Sequence, residues 1–186
     1  MNNTTKLLII SDIFVLTGFG LIDPILSIFI KWNLVGGTIF AAGAASMLFI
    51  ITKSIVQMPF SRYVDKHGRI SRIKGLIIGT FLVSSVPFIY VFSNNIVFIY
   101  IAQVIHGFGS GLAFPSWMGL WSKNLNVEQR SFEWSLYSTL IGIGTGLSGL
   151  IGAEIAELFG FTYTFLMVGI MSIIGCVVLF GLERKV

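Results

Sequence analysis

Six long apolar stretches constrain this chain more than any other feature of its sequence. Each is long enough to cross about 30 Å of hydrocarbon as an α-helix, which takes about 20 residues. They run approximately over residues 7–30, 35–60, 75–92, 96–119, 132–157 and 162–182, and are numbered here as spans one to six. Because 55% of the residues are hydrophobic and only 11% are charged, a water-soluble fold is not expected. The sequence predicts an all-α membrane protein in which residues 1–186 form one domain of six transmembrane helices.

The positions of the charged residues predict how this bundle is oriented. The segment 61–74 holds five of the twelve Lys and Arg residues between two apolar stretches. Ten Lys and Arg residues fall in the connections and tails on the side of this segment, whereas the opposite connections contain Lys31 alone. Because short cytoplasmic loops carry an excess of Lys and Arg, we expect a multi-pass protein of the plasma membrane with both termini in the cytoplasm. The formal charge of +4 then reflects topology beside anionic lipid, not nucleic-acid binding.

The tryptophans support the same division of the chain. All four fall near predicted span ends, at Trp32, Trp117, Trp121 and Trp134. Indole rings are enriched at membrane interfaces, where the ring is apolar and the N–H reaches water. We therefore expect these four side chains at the interface.

Two glycine pairs, each followed by a proline, indicate an internal repeat. They are Gly18 and Gly20 before Pro24 in span one, and Gly107 and Gly109 before Pro115 in span four. Since span one runs outward and span four inward, the pattern predicts an inverted repeat of three plus three helices.

Spans two and five also carry ridges of small residues. These are Gly37, Ala41 and Ala45 in span two, and Gly142, Gly146, Gly149 and Ala153 in span five. Small residues four positions apart let two helices approach closely without lipid between them. The ridges predict a helix-packing face.

The connection after span two resembles the signature of the major facilitator superfamily of secondary transporters. That signature runs Gly-x-x-x-Asp-(Arg/Lys)-x-Gly-Arg-(Arg/Lys), and the chain matches it at Asp65, Lys66, Gly68 and Arg69 but has Ser61 and Ile70 at its first and last positions. The segment 20–27 resembles the first helix of the drug:proton antiporter branch, although Ser27 stands where a second proline is common. Span four resembles the family's fourth helix, with Gln103 in place of its usual arginine.

The resemblance implies one half of a twelve-helix transporter that works by alternating access. It implies a small-molecule substrate, with drug-like efflux in exchange for protons or another coupling ion, and no cofactor. In the family, spans two and five face the other six-helix domain, so we expect a homodimer or a separately encoded second half. The 65–69 segment would then lock the cytoplasmic side shut. The alternative is a truncated remnant, or a membrane scaffold that keeps the fold without transporting.

Two carboxylates in span one are candidates for a functional role. Asp12 and Asp23 are eleven residues apart. At about 100° per residue, this spacing places both side chains on nearly the same face of a helix. Carboxylates inside a span are costly and should face a bundle interior or a cavity. Asp23 is a proton- or cation-binding group, as the antiporter resemblance implies, or a hydrogen-bonded structural group beside the Pro24 break.

Lys53 of span two and Asp12 are predicted at similar depth, with Gln57 on the same face as Lys53. Three interpretations stay open for Lys53: a structural ion pair with Asp12, a contact to substrate or coupling ion, or snorkelling of the lysine to the interface. In span four, His106 suits a proton relay or a hydrogen bond to a neighbouring helix. Gln103 is a candidate polar contact for substrate.

The segment 65–69 has a predicted local geometry. Gly68 is expected to adopt a positive φ and close the turn. Asp65 is expected to accept from a helix N-terminus or to pair with a basic neighbour, and Glu133 to accept from Arg69 or Arg62.

No pattern in the chain indicates an enzyme or a metal site. The one cysteine, Cys176, lies in an apolar stretch, and no His, Cys and carboxylate cluster has the spacing of metal ligands. The run Gly107-Phe108-Gly109-Ser110-Gly111 follows no strand and lies within predicted hydrocarbon, so it is not a nucleotide-binding loop.

Overall fold

The computed structural model describes residues 2–185, with side chains described for residues 2–183, and this part of the chain is all-α, as predicted. The helices are α1 Asn3–Gly20, α2 Leu26–Asn33, α3 Ile39–Val91, α4 Ile96–Asn124, α5 Arg130–Phe159 and α6 Phe161–Leu179. Short 3-10 turns follow at Val127–Gln129 and Phe180–Lys185. Four helical segments in the described residues are long and apolar enough to cross a membrane: Ile39–Val91, Ile96–Asn124, Val127–Phe159 and Phe161–Glu183.

The first of these segments, α3, folds back on itself. Its 53 residues would extend about 80 Å at about 1.5 Å per residue, far more than one membrane crossing. Gly68 interrupts it with φ 75° and ψ −155°, the positive φ that the sequence predicts and that a residue without Cβ adopts readily. The first arm (39–67) and the second arm (69–91) therefore run in opposite directions. Within the segment 61–74, helix continues up to Gly68 from both sides.

Both arms of α3 pack against the same part of α4. Gly107 of α4 lies on the backbone of Phe49 in the first arm, and Gly109 lies on the backbone of Gly79 in the second. The far ends of the arms are joined as well, since Val35 N–H donates to the Asn94 carbonyl at 3.1 Å and Ile96 N–H donates to Val35. The two arms and α4 thus form one compact three-helix unit.

The predicted span over 7–30 is not one continuous helix. Helix α1 begins at Asn3 and ends at Gly20, and a turn over 21–25 leads into α2. Pro24 lacks an N–H, and a proline disfavours helical geometry at the residue before it, here Asp23. Such a break within a membrane persists where protein surrounds it, and Ile22 is only 1% exposed.

Contacts between the ends of the helices place the basic residues together. Asn2 donates to the Asn124 side chain at 2.9 Å, so the N-terminal segment and the end of α4 share one end of the bundle with the Gly68 turn. We term this the basic end, because the connections that carry Lys and Arg meet there. Lys31 lies at the opposite end, beside the Val35 connection.

Close contacts at glycine positions organise α1 and α4 in matching ways. In α1, Gly18 packs on α6 and Gly20 packs on α5. In α4, Gly109 packs on the second arm of α3 and Gly111 packs on the first. The second glycine of each pair stands four residues before the proline of its helix. The α1 pair and the pair of Gly109 and Gly111 therefore each contact two neighbouring helices.

Two of the four tryptophans depart from the predicted interfacial position. Trp117 and Trp121 are only 7% and 0% exposed and stack on each other at 5.0 Å in the core near the basic end. Trp134 packs on both rings at 38% exposure, whereas Trp32 is 72% exposed. Hydrophobicity and chain position did not distinguish a ring at a helix end from a ring buried between helices.

The predicted small-residue ridges divide into inward and outward members. Ala41 and Ala45 are 5% and 1% exposed in the chain's own core, and Gly37 precedes α3 and lies against the end of α2, so none of these belongs to an open packing face. In α5, by contrast, Gly142 and Gly146 have open space where a Cβ would stand.

A large apolar surface remains uncovered on two helices. It is termed the open face here and consists of the outward sides of the first α3 arm and of α5. Its exposed side chains include Phe40 at 85%, Ile55 at 68%, Ile143 at 60%, Leu147 at 59% and Leu150 at 74%. Gly149 of α5 is turned away from it, since a Cβ there would lie 3.6 Å from Gly20 of α1 and from Pro24 of the following turn.

Candidate functional site

Two cavities lie between the helices, and a stack of three rings separates them. The larger has a volume of about 620 Å³ and the smaller about 240 Å³. Four residues line both: Phe19, Asp23, Phe49 and His106. The His106 ring lies between Phe19 at 4.8 Å and Phe49 at 4.4 Å. His106 is therefore held by ring packing, and within residues 2–183 its side chain makes no hydrogen bond to a neighbouring helix.

The large cavity has mainly apolar and aromatic walls. Its apolar lining includes Phe114, Trp117, Met118 and Trp134. Its charged lining consists of Asp12, Asp23 and Lys53. Cavities of this size and character are typical of sites for small organic ligands, in which a few polar groups orient an apolar body.

Asp12 holds α1 against α5 across this cavity. The Tyr137 hydroxyl donates to its carboxylate at 2.9 Å. The two residues are 125 positions apart in the chain, so the bond depends on the packing of α5 beside α1. A tyrosine within an apolar span usually seeks such a partner for its hydroxyl, but its sequence position does not say which one.

Lys53 does not form the predicted ion pair with Asp12. Its ammonium lies 4.9 Å from the ring centre of Phe114 and 5.9 Å from that of Phe49. Among the side chains of residues 2–183, no carboxylate lies within ion-pair distance of it. The similar depth predicted for Asp12 and Lys53 agrees with their common position in the lining of the large cavity. The hydrogen-bond partner of Asp12, however, is Tyr137. Gln57, one turn further along, is absent from the lining of both cavities.

The small cavity is more polar than the large one. Asp23 lines it together with Ser27 and Ser46. On its far side, Gln103 is 5% exposed and donates to the Tyr90 hydroxyl at 3.1 Å. The sequence pattern identified Gln103 but gave no reason to choose Tyr90 as its partner.

The carboxylate of Asp23 is left open to both cavities. It stands in the turn between α1 and α2 and is exposed. In the described part of the chain its side chain accepts no hydrogen bond and joins no ion pair. Among the described residues, no hydrogen bond supports Asp23 as a structural group, and its carboxylate lines both cavities.

The signature residues lie at the basic end, away from the cavities. Asp65 pairs with Arg72 at 2.9 Å, which confirms that it pairs with a basic neighbour. Arg72 is 4% exposed and packs against Gly119 of α4, so the pair ties the Gly68 turn to that helix. Lys66 and Arg69 are exposed.

Glu133, at the start of α5, is buried near the same end. It is 2% exposed and accepts from the Asn126 backbone N–H at 3.4 Å. Arg62, one of the two arginines predicted to reach it, is exposed. Among the described residues, no three His, Cys, Asp or Glu side chains group in a way that could hold a metal ion.

Comparison with known proteins assigns this arrangement to a family. Residues 8–186 match the family model of the Major Facilitator Superfamily. An uncharacterised MFS-type transporter of Methanocaldococcus jannaschii is 23% identical over 163 residues, which is 87% of this chain and 40% of that protein. An uncharacterised transporter of Buchnera aphidicola is 31% identical over 164 residues, or 86% of this chain and 39% of that protein. The chain thus spans about 40% of the length of these curated relatives.

Proposed function

Because the chain belongs to the major facilitator superfamily, a family of transporters and not of enzymes, we propose that it is one six-helix half of a secondary active transporter. In this proposal it moves a small solute across the bilayer by rocking against a second half around a site near the middle of the membrane. The observation that carries the proposal is the unpartnered Asp23 carboxylate at the junction of two cavities.

The packing of α1 and α4 supports an inverted repeat of three plus three helices. The Gly18 and Gly20 contacts reach α6 and α5, and the Gly109 and Gly111 contacts reach the second and first arms of α3. An inverted repeat would relate these same pairs of helices, since it exchanges spans one to three with spans four to six. Repeats of this kind place the substrate site at the midplane.

The open face supports the need for a second half. On this face, large apolar side chains are exposed and the glycines Gly142 and Gly146 have open space beside them. The face lies on the first α3 arm and α5, the helices that flank the large cavity. The curated relatives are about two and a half times as long as the matched segment, which leaves length for six further helices. We propose that a second copy of this chain or a separate chain covers this face.

Coupling is assigned to Asp23 in this proposal. A carboxylate in the translocation path binds a proton or another cation, and its charge state then biases the two conformations. His106 relays protons between the two cavities, both of which its ring lines. Drug-like efflux in exchange for protons is the mode that the antiporter resemblance implies.

The segment 65–69 serves the conformational switch. The Asp65–Arg72 pair and the Gly68 turn join the two arms of α3 at the end of the bundle that carries Lys and Arg. We propose that this end faces the cytoplasm of the plasma membrane, with both termini on that side, because basic loops are retained there. Lys66 and Arg69 then lie beside anionic headgroups.

Transport in proteoliposomes tests the proposal. The chain is reconstituted alone and together with a candidate second half, and uptake of organic cations, anions and neutral amphipaths is measured with and without an imposed proton gradient. Gradient-dependent uptake that requires Asp23 is the expected result. No uptake of any probe under either condition would favour the non-transporting scaffold or remnant instead.

A further inference from the structure

The large cavity contains a lysine ammonium that no described carboxylate contacts. Among the described side chains that line the two cavities, Lys53 carries the only ammonium or guanidinium group. Its ammonium is held over the rings of Phe114 and Phe49, and no described carboxylate pairs with it. A cation–π contact offsets only part of the cost of removing an ammonium from water. An anionic partner would complete this site.

The two carboxylates of the cavity do not supply that partner. Asp12 is engaged by the Tyr137 hydroxyl at 2.9 Å. Asp23 lines the polar cavity on the other side of the His106 ring stack as well, and the proposed function gives it to the coupling ion. Neither carboxylate pairs with Lys53, so its ammonium is the group of the large cavity that can receive the acid group of a ligand.

The walls of the cavity define the rest of the ligand. Phe114, Met118 and Trp134 present apolar and aromatic surface beside the lysine, within a volume of about 620 Å³. Such walls accept an aromatic or aliphatic body of drug-like size. An ionised acid group on that body would form a charge-assisted hydrogen bond with the ammonium in a largely apolar space.

We propose that the large cavity binds an amphipathic organic anion, with its acid group on Lys53 and its apolar body against Phe114, Met118 and Trp134. The inference rests on the proposed function, since it names the substrate class of the same site. It narrows the drug-like solute that the antiporter resemblance implies to an anion.

Three probes with the same ring system and different charge test the inference. Naphthoate, naphthylmethanol and naphthylmethylammonium are measured by equilibrium dialysis against the purified full chain in mild detergent, with empty micelles as the blank. Binding of naphthoate more tightly than of the other two is expected. Naphthoate that partitions only as it does into empty micelles, or an ammonium probe that binds more tightly than naphthoate, would overturn the inference.

Variants of two lysines assign the binding to one residue. In Lys53→Gln the Kd for naphthoate should rise by about tenfold or more, because a desolvated charge pair is lost. Lys53→Arg keeps the charge and should restore most of the affinity. The matched control is Lys31→Gln, since Lys31 also lies over an aromatic ring, that of Trp32 at 4.4 Å, but lines neither cavity. Equal Kd values for the Lys53→Gln variant and the wild type would overturn the inference.

Binding and transport separate this inference from the function on which it rests. Lys53-dependent binding of naphthoate without uptake of any probe would contradict the transporter proposal and leave the ligand class intact. Gradient-driven, Asp23-dependent uptake of naphthylmethylammonium alone would support the transporter proposal and overturn the ligand class. Circular dichroism and size-exclusion profiles of the three lysine variants establish that each has folded.

Discussion

Asp12 and Asp23 share one predicted face of the first span, yet the structure gives them opposite surroundings. Asp12 lies within the regular helix α1 and accepts a hydrogen bond from Tyr137 of α5. Asp23 lies in the turn between α1 and α2 and is open to two cavities. The difference shows that a hydrogen-bond donor on a neighbouring helix makes one carboxylate a structural link, while a helix break leaves the other open to a ligand or an ion.

Asp23→Asn is the change with the largest expected effect. The amide keeps the shape of the side chain but cannot bind and release a proton, so the gradient-dependent part of uptake should fall by about tenfold or more. Proteoliposome uptake with the second half present measures it. Glu157→Gln, an exposed carboxylate near the end of α5, is the matched control. If uptake by the Asp23→Asn variant still depended fully on the proton gradient, Asp23 would not be the coupling group and would not differ from Asp12 in this role.

Gly20→Leu should separate α1 from α5, the two helices that Asp12 links. A Cβ at this position would lie 3.0 Å from the Cα and carbonyl oxygen of Thr145, so a larger side chain forces the backbones apart. Overpacking of this kind costs about 1–3 kcal/mol, which thermal unfolding in detergent would register as a lower midpoint. Gly146→Leu on the open face is the control, because it has open space around it. Equal midpoints for the two variants would contradict the close α1–α5 packing.

Tyr137→Phe removes the hydrogen-bond donor of Asp12 and leaves the carboxylate in place. A hydrogen bond to a charged group contributes about 1.5–3 kcal/mol, so the melting midpoint of the detergent-solubilised chain should fall. Tyr163→Phe, at a side chain that is 61% exposed, should leave the midpoint unchanged. A Tyr137 variant as stable as the wild type would show that the bond does not link α1 to α5.

Asp12→Asn has the smallest expected effect and completes the comparison. Its amide oxygen still accepts from Tyr137, so the loss of stability should be about 1 kcal/mol or less. Gradient-dependent uptake should persist, in contrast to Asp23→Asn. Loss of coupling in both variants, in the same proteoliposome assay, would mean that the two carboxylates act as one unit.

Part of this site is predictable from the sequence, because charged groups inside apolar stretches are rare and costly. That cost alone marks Asp12, Asp23 and Lys53 as residues that should face a cavity, and all three line the large one. The positive φ of Gly68 followed from the signature around it. The partner of each charged group was not predictable, because a partner such as Tyr137 comes from a distant helix.

The break at Pro24 and the continuity at Pro115 show a second limit. Both prolines lie inside predicted spans, but α1 ends before Pro24 whereas α4 continues through Pro115 to Asn124. A proline removes one helical hydrogen bond in either case. Whether the helix then bends or breaks depends on how the neighbouring helices pack around it.

The amino-acid sequence alone is enough to identify an all-α membrane protein of this family, with Lys and Arg gathered in the connections and ionisable groups at a few positions within the spans. Hydropathy and charge are local properties, so they can be read along the chain. The packing of the helices was needed to establish which side of each helix faces inward, as in the burial of Ala41 and Trp121 and the exposure of Ile55. Lipid and protein interior are both apolar, so the inward and outward sides of a membrane helix have similar hydrophobicity. Only the packing of the helices distinguishes the two sides.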